Sequence, residues 1–213
     1  AADELFTGYY DHFNLYLYEM RYHAEYDRCL TDWTKHLGGL VRNPFLQNPE
    51  LYFNNPEFRE HIYLNSQELS SFLKVSFFEP FSEVDFGVSL LRNRMLNELF
   101  YEVVPVILHE DDLNSMKWSI ENRSPFLDRP LAELLFSIPN EHLIHQGQVK
   151  SLLREAVADI APKQAMKDPR KRGFNASIDS MLDKNDPGVR DWLLAEGPIF
   201  DVVQKDAFLK ILD

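Results

Sequence analysis

Apolar residues in this chain recur mainly at helical spacing. From Tyr9 they fall at Tyr9, Phe13, Tyr16, Leu17, Met20 and Ala24, the series that lines one face of an α-helix. Gly38 and Gly39 close that stretch. Between Asn43 and Ser82 the pattern is irregular, with Asn-Pro at 43–44, 48–49 and 55–56, so short helices and loops are expected there. A second long helix is predicted from Asp85 to Val104, capped by Asp85, striped by Met95, Leu99 and Val103, and stopped by Pro105. Three more are predicted beyond it: one after Asp128 with Pro130 in its first turn, one over Val149–Ile160, and one over Ile199–Leu212. Strand signals are confined to Phe72–Phe78 and Val103–Leu108, both weak. The pattern therefore predicts a mainly α chain.

Composition narrows the class. The chain has 213 residues, 45% of them hydrophobic, which suits one or at most two domains with a buried core. With 16 Phe, 9 Tyr and 3 Trp that core should be aromatic-rich. The net charge of -12 opposes binding of nucleic acid or of an anionic membrane. No apolar run is long enough to span a bilayer. A single cysteine, Cys29, excludes an internal disulfide and fits a reducing, cytoplasmic setting; it reads as a small buried hydrophobe.

Four segments carry candidate chemistry. Asp3 and Glu4 are adjacent carboxylates ahead of a helix. Hard oxygen ligands of this kind suit Mg²⁺ beside substrate phosphates, although acids at a helix start also serve the helix dipole. In Ser119–Asp128, Glu121 and Arg123 flank a turn and read first as a structural ion pair. Lys150, after Gln146-Gly147-Gln148, is expected in the first turn of a helix. A cation beside free backbone N–H groups makes an anion site, and a solvated lysine is the alternative. Residues 163–172 hold five basic residues, Lys163, Lys167, Arg170, Lys171 and Arg172, against Asp168 alone, and Gly173 comes next. Such clustering suggests an anionic ligand, or else a solvated loop. The histidines have no metal-ligand spacing, and no Gly-rich phosphate loop, nucleophile elbow or CxxC occurs.

In this order the four segments resemble the synthetase domain of the asparagine synthetase family. The matching patterns are D-E-L-F-x-G-Y at Asp3–Tyr9, S-x-E-x-R-x-P-F-L-D at Ser119–Asp128, G-x-x-K-x-x-L-R-E at Gly147–Glu155, and R-K-x-G-F at Arg170–Phe174. The resemblance spans about 170 residues and also takes in Asn114-Ser115-Met116.

It implies the helical C-terminal half of an α/β adenine-nucleotide-hydrolase-like domain, with most of the parallel sheet missing. Residues 1–213 would then form one partial domain. The implied activity is glutamine-dependent carbon–nitrogen ligation: ATP adenylates a carboxylate, pyrophosphate leaves, and ammonia attacks. Aspartate is the expected carboxylate, glutamine the ammonia source, and ATP and Mg²⁺ the cofactors.

Carried over position by position, Asp3 and Glu4 match the metal site and Lys150 the catalytic lysine that faces pyrophosphate. Lys171 and Arg172 match the basic segment near the phosphates. Glu121, Arg123 and Asp128 belong to a motif taken as mainly structural.

The sequence also departs from the pattern. It has no S-G-G-x-D-S nucleotide loop and no glutaminase domain, and Cys29 does not match that domain's nucleophile. Asp112-Leu113 stands where Asp-Arg is usual, and the proline common after Gly-Phe is absent after Gly173-Phe174, which leaves the acceptor open to other carboxylates or sugars. Because it opens inside the acidic motif, the chain is expected to be part of a longer protein, inactive by itself and prone to self-associate through an uncovered apolar face. The alternative is a non-catalytic helical module that binds a partner.

Overall fold

The computed structural model describes residues 2–41, 43–55, 66–77, 80–168 and 181–212. The described chain is mainly helical, and its only strand-like pairings are isolated bridges, Leu73 with Val203 and His145 with Gln148. The chain divides into two compact units. One is built from Ala1–Phe58 with Glu83–Lys171, the other from Arg59–Ser82 with Arg172–Asp213.

The first unit carries every candidate site residue that the structure describes. Its helices are α1 (Ala2–Leu5), α2 (Tyr10–Met20), α3 (Tyr26–Trp33) and α4 (Glu50–Asn54), then α6 (Leu90–Phe100), α7 (Val103–Met116), α8 (Arg129–Ser137), α9 (Ser151–Ala156) and α10 (Lys163–Lys167). The apolar face foreseen from Tyr9 is real as far as Met20, with Phe13, Tyr16 and Leu17 buried beside Cys29, Trp33, Leu91 and Met95. It does not run on to Ala24, because a turn over Arg21–Glu25 separates α2 from α3 and leaves Ala24 exposed. A smaller cluster of Leu5, Phe6, Leu99, Val104 and Leu135 seats α1 against α6, α7 and α8. Phe6 meets Phe126 edge to face at 5.9 Å within it.

The second long helix is shorter than its apolar stripe suggests. It begins after Ser89, whose hydroxyl accepts from the Arg92 N–H, while Asp85 caps a turn at Gly87. The segment before it has no regular secondary structure and is held by side chains of α6. Asn97 exchanges two hydrogen bonds of 2.9 Å with the backbone of Val84, and Asn93 accepts from Phe86 N at 2.9 Å. These bonds pair backbone groups that have no partner in a regular element. Pro105 does not end a helix. It lies in the first turn of α7, where its missing N–H has no intrahelical partner to lose. Val103–Leu108 is therefore helical rather than a strand.

The second unit contains α5 (Ser66–Ser71), α11 (Pro187–Leu193), α12 (Ile199–Val202) and α13 (Lys205–Leu212). The terminal helix expected over Ile199–Leu212 is broken at Val203 and Gln204. These residues pair with Phe72–Lys74 instead, through Lys74 N to Val202 O and Gln204 N to Phe72 O, both 2.8 Å. Of the strand expected over Phe72–Phe78 this bridge is the part that forms in the described residues; Phe78 lies outside them. Phe200 and Phe208 stack edge to face across the break at 5.9 Å.

Candidate functional site

Asp3 and Lys150, separated by most of the unit in sequence, meet in space. Lys150 Nζ is 2.8 Å from Asp3 Oδ1, and both side chains are about a quarter exposed, so the pair faces solvent from a partly buried position. The local backbone explains the approach. Asp3 lies on α1, and the chain then turns back so that Gly8 N donates to Asp3 O at 2.7 Å. A Cβ on Gly8 would lie 2.0 Å from Asp3 Oδ1 and 2.5 Å from Lys150 Cε, so glycine leaves the space in which the two charges meet.

Lys150 is the N-cap of α9 rather than a residue of its first turn. Its backbone is left-handed, at φ 57° and ψ 31°. Left-handed geometry in a non-glycine residue costs on the order of 1 kcal/mol and persists only where the surroundings enforce it. Here Gly147, itself at φ 67°, packs so tightly on the end of α3 that an added Cβ would lie 2.9 Å from Asp32 O and 2.8 Å from His36 Cδ2. Thr7, on the facing turn, is also left-handed at φ 55°. The buried hydroxyl of Ser151 donates to Leu143 O at 3.0 Å, whereas that of Thr7 donates to the adjacent Phe6 O at 2.6 Å and lies 3.4 Å from Leu143 O.

Arg154, four residues after Lys150, holds the next stretch of chain. Its guanidinium donates to Val149 O at 3.1 Å, Ala165 O at 3.1 Å, Met166 O at 2.9 Å and Asp168 O at 3.0 Å. The start of the basic segment is therefore anchored to α9. Lys171 and Arg172 lie outside the described residues, as do Arg170, Gly173 and Phe174.

Glu4 is bonded to Tyr9. It is buried, and one of its carboxylate oxygens accepts from the Tyr9 hydroxyl at 2.5 Å. Burial, together with that hydrogen bond, pushes the Tyr9 phenol well above its usual range and keeps it a donor. Glu121 and Arg123 pair at 2.8 Å with both side chains largely exposed, where such a bond contributes little.

The residues that the sequence does not single out lie behind this surface. Arg94 is fully buried and is bonded to Glu98 at 2.9 Å, to Glu83 at 2.6 Å and to Glu102 at 3.0 Å, with Asp11 at 3.9 Å. His12 is also fully buried, with Nε2 2.7 Å from Glu98 Oε2. Burial drives the His12 pKa down, but the Glu98 carboxylate, its hydrogen bond and Asp11 override that, and the net shift is upward. The signal in the sequence is Arg94, Glu98 and Glu102 at four-residue spacing, inside a stretch whose apolar stripe is the more conspicuous pattern.

Asp11, His12 and Glu98 offer donor atoms within 4.8 Å of one another, types that bind transition metals. Arg94 already supplies the cation there and would repel a divalent ion, so the cluster is a charge network. Asp3 offers hard oxygens, the donor type that Mg²⁺ takes, on a side chain about a quarter exposed, and the single ammonium of Lys150 rests on it at 2.8 Å, so a divalent ion there would displace that contact.

The chain is 32% identical over 110 residues to "Asparagine synthetase [glutamine-hydrolyzing] 1" of Bacillus subtilis (strain 168), a match covering 50% of this chain and 17% of that protein. It is 34% identical over 85 residues to "Asparagine synthetase [glutamine-hydrolyzing] 3" of the same organism, covering 39% of this chain and 14% of that protein. The aligned segments are thus a small part of both relatives. No solved structure matches the chain. No helix among the described residues is long and apolar enough to cross a membrane. The family described as asparagine synthase matches residues 1–213, the whole of the sequence, and the chain belongs to that family.

Proposed function

We propose that the protein to which this chain belongs is an ATP-dependent carbon–nitrogen ligase of the glutamine-hydrolysing type. We propose aspartate as its carboxylate substrate and glutamine-derived ammonia as its nitrogen donor. The reaction has two displacements. A carboxylate oxygen attacks the α-phosphorus of ATP as the bond to pyrophosphate breaks; nitrogen then attacks the acyl carbon as the bond to AMP breaks. Because the relatives are far longer than the aligned segments, we read the chain as one portion of such an enzyme, working in the cytoplasm and inactive by itself.

The observation that carries this reading is the 2.8 Å contact of Asp3 and Lys150. Asp3 and Glu4 would hold Mg²⁺, which neutralises and orients the triphosphate when bound. Lys150 would turn from Asp3 to the pyrophosphate oxygens, meeting negative charge as it develops. Its left-handed backbone and the Ser151 bond to Leu143 O hold the start of α9 in place, so only the lysine side chain would have to swing. Lys171 and Arg172 are proposed to complete the phosphate contacts.

The test is pyrophosphate release by the full-length gene product, with ATP, Mg²⁺ and a panel of carboxylates. Release that depends on aspartate, with asparagine formed from glutamine, supports the reading. Release with another carboxylate alone moves the acceptor, and no release with any carboxylate favours the partner-binding module.

A further inference from the structure

The buried charges of α6 lead back to the acidic motif. Glu4, 1% exposed, accepts from Tyr9 at 2.5 Å. The Tyr9 ring stands edge-on to His12, with ring centroids 5.3 Å apart and an interplanar angle of 79°. His12 Nε2 is bonded to Glu98, and the other Glu98 oxygen accepts from Arg94 at 2.9 Å. A contact path thus runs from α1 through the start of α2 to α6. Buried ion pairs of this kind add little stability over apolar packing of equal volume. What they do supply is a fixed geometry, since each partner has few alternative bonds.

We propose that His12 is a positioning residue for the metal–nucleotide site, orienting the Glu4 carboxylate through Tyr9 while Glu98 and Arg94 hold its own ring in place. The inference rests on the reading of Asp3 and Glu4 as the metal site. His12 forms the wall that keeps the Tyr9 ring, and so its hydroxyl, aimed at Glu4. A short bond to a charged acceptor is sensitive to such aim. Groups that orient a metal's ligands from behind typically matter by 10–100-fold in affinity.

The test uses the full-length protein with Mn²⁺ as the probe, its affinity in the presence of ATP measured by electron paramagnetic resonance. Tyrosine labelled with ¹³C at Cζ reports the Tyr9 hydrogen bond, the resonance being assigned by its loss in Tyr9→Phe. His12→Gln is expected to shift the Tyr9 resonance and to weaken Mn²⁺ binding about tenfold, and Tyr9→Phe to weaken it similarly. If His12→Gln leaves Mn²⁺ affinity within about twofold, whether or not the Tyr9 resonance moves, the proposal is overturned. If His12→Gln fails to fold, Tyr9→Phe decides alone, because it keeps the ring and removes only the hydroxyl; unchanged affinity again overturns the proposal. Absence of Mn²⁺ binding by the unsubstituted protein would refute the metal reading first, and this proposal with it.

Discussion

Replacing Gly8 by alanine places a methyl group in the space where Asp3 and Lys150 meet. The new Cβ would lie 2.0 Å from Asp3 Oδ1, 2.5 Å from Lys150 Cε and 2.7 Å from the α-carbon of Asp3. The two side chains can rotate away, but the α-carbon belongs to the backbone, so α1 itself must shift. Overpacking of this kind costs about 1–3 kcal/mol. The ion pair is partly exposed, so solvent screening limits its loss to a further ~1 kcal/mol or less. The expected destabilisation is about 2 kcal/mol. At a urea dependence of about 2 kcal/mol per molar, it moves the unfolding midpoint down by about 1 M. Trp33 is buried in the same unit whereas Trp118 and Trp192 are exposed, so tryptophan emission follows the relevant transition. In the full-length protein the same change should lower the proposed activity about 100-fold, because it moves both charges by about 1 Å. A midpoint within about 0.2 M of the parent, together with undiminished activity, would refute the argument that Gly8 keeps this space open.

Three further outcomes are expected from the same geometry. His12 has a folded-state pKa above its ordinary 6.5, so its contribution to stability is complete below that value and is lost as pH rises through the folded value. The charged groups around it are Glu98, Asp11 and Arg94, with the Tyr9 phenol alongside. Thermal stability should therefore decline as pH rises above about 6.5, and His12→Gln should flatten that decline; an identical slope in the variant would contradict the assignment. Arg94→Met removes the only guanidinium facing Glu83, Glu98 and Glu102 among the described residues, and should cost about 3–5 kcal/mol in urea unfolding. A loss under about 1 kcal/mol would mean that the carboxylates find other partners. Val106, Leu113, Met116, Trp118 and Ile120 are exposed along α7 and the turn after it, so the isolated 213-residue chain should self-associate; a monomer throughout a sedimentation series at rising concentration would count against this.

Much of the site is legible in the sequence because it depends on short, local patterns. Gly8 and Gly147 are required by close approach, and both fall inside recognisable motifs. The acidic pair and Lys150 stand in the same motifs, and the structure brings Asp3 to Lys150 as the resemblance implies. Other features are hidden because they depend on tertiary partners. The apolar stripe Met95–Leu99 locates α6 but says nothing of Arg92, Asn93, Arg94, Asn97 and Glu98, all of them buried. Their bonds go to segments elsewhere in the chain, Asn97 to Val84 and Arg92 to Asn140, which periodicity cannot reveal. Pro105 reads as a stop in sequence because a proline at the end of one helix and one in the first turn of the next look alike. The left-handed backbones of Thr7 and Lys150 are likewise set by packing, since neither residue type favours that geometry.

The most direct measurement is a double-mutant cycle on the proposed pyrophosphate release by the full-length protein, using Asp3→Asn, Lys150→Ala and the pair together. If the two charges act on one magnesium-bound triphosphate, each single change should cost about 10²–10³ in rate, and the double variant should be little worse than the poorer single one. Losses that simply multiply, or a Lys150→Ala rate within about threefold of the parent, would contradict a shared site.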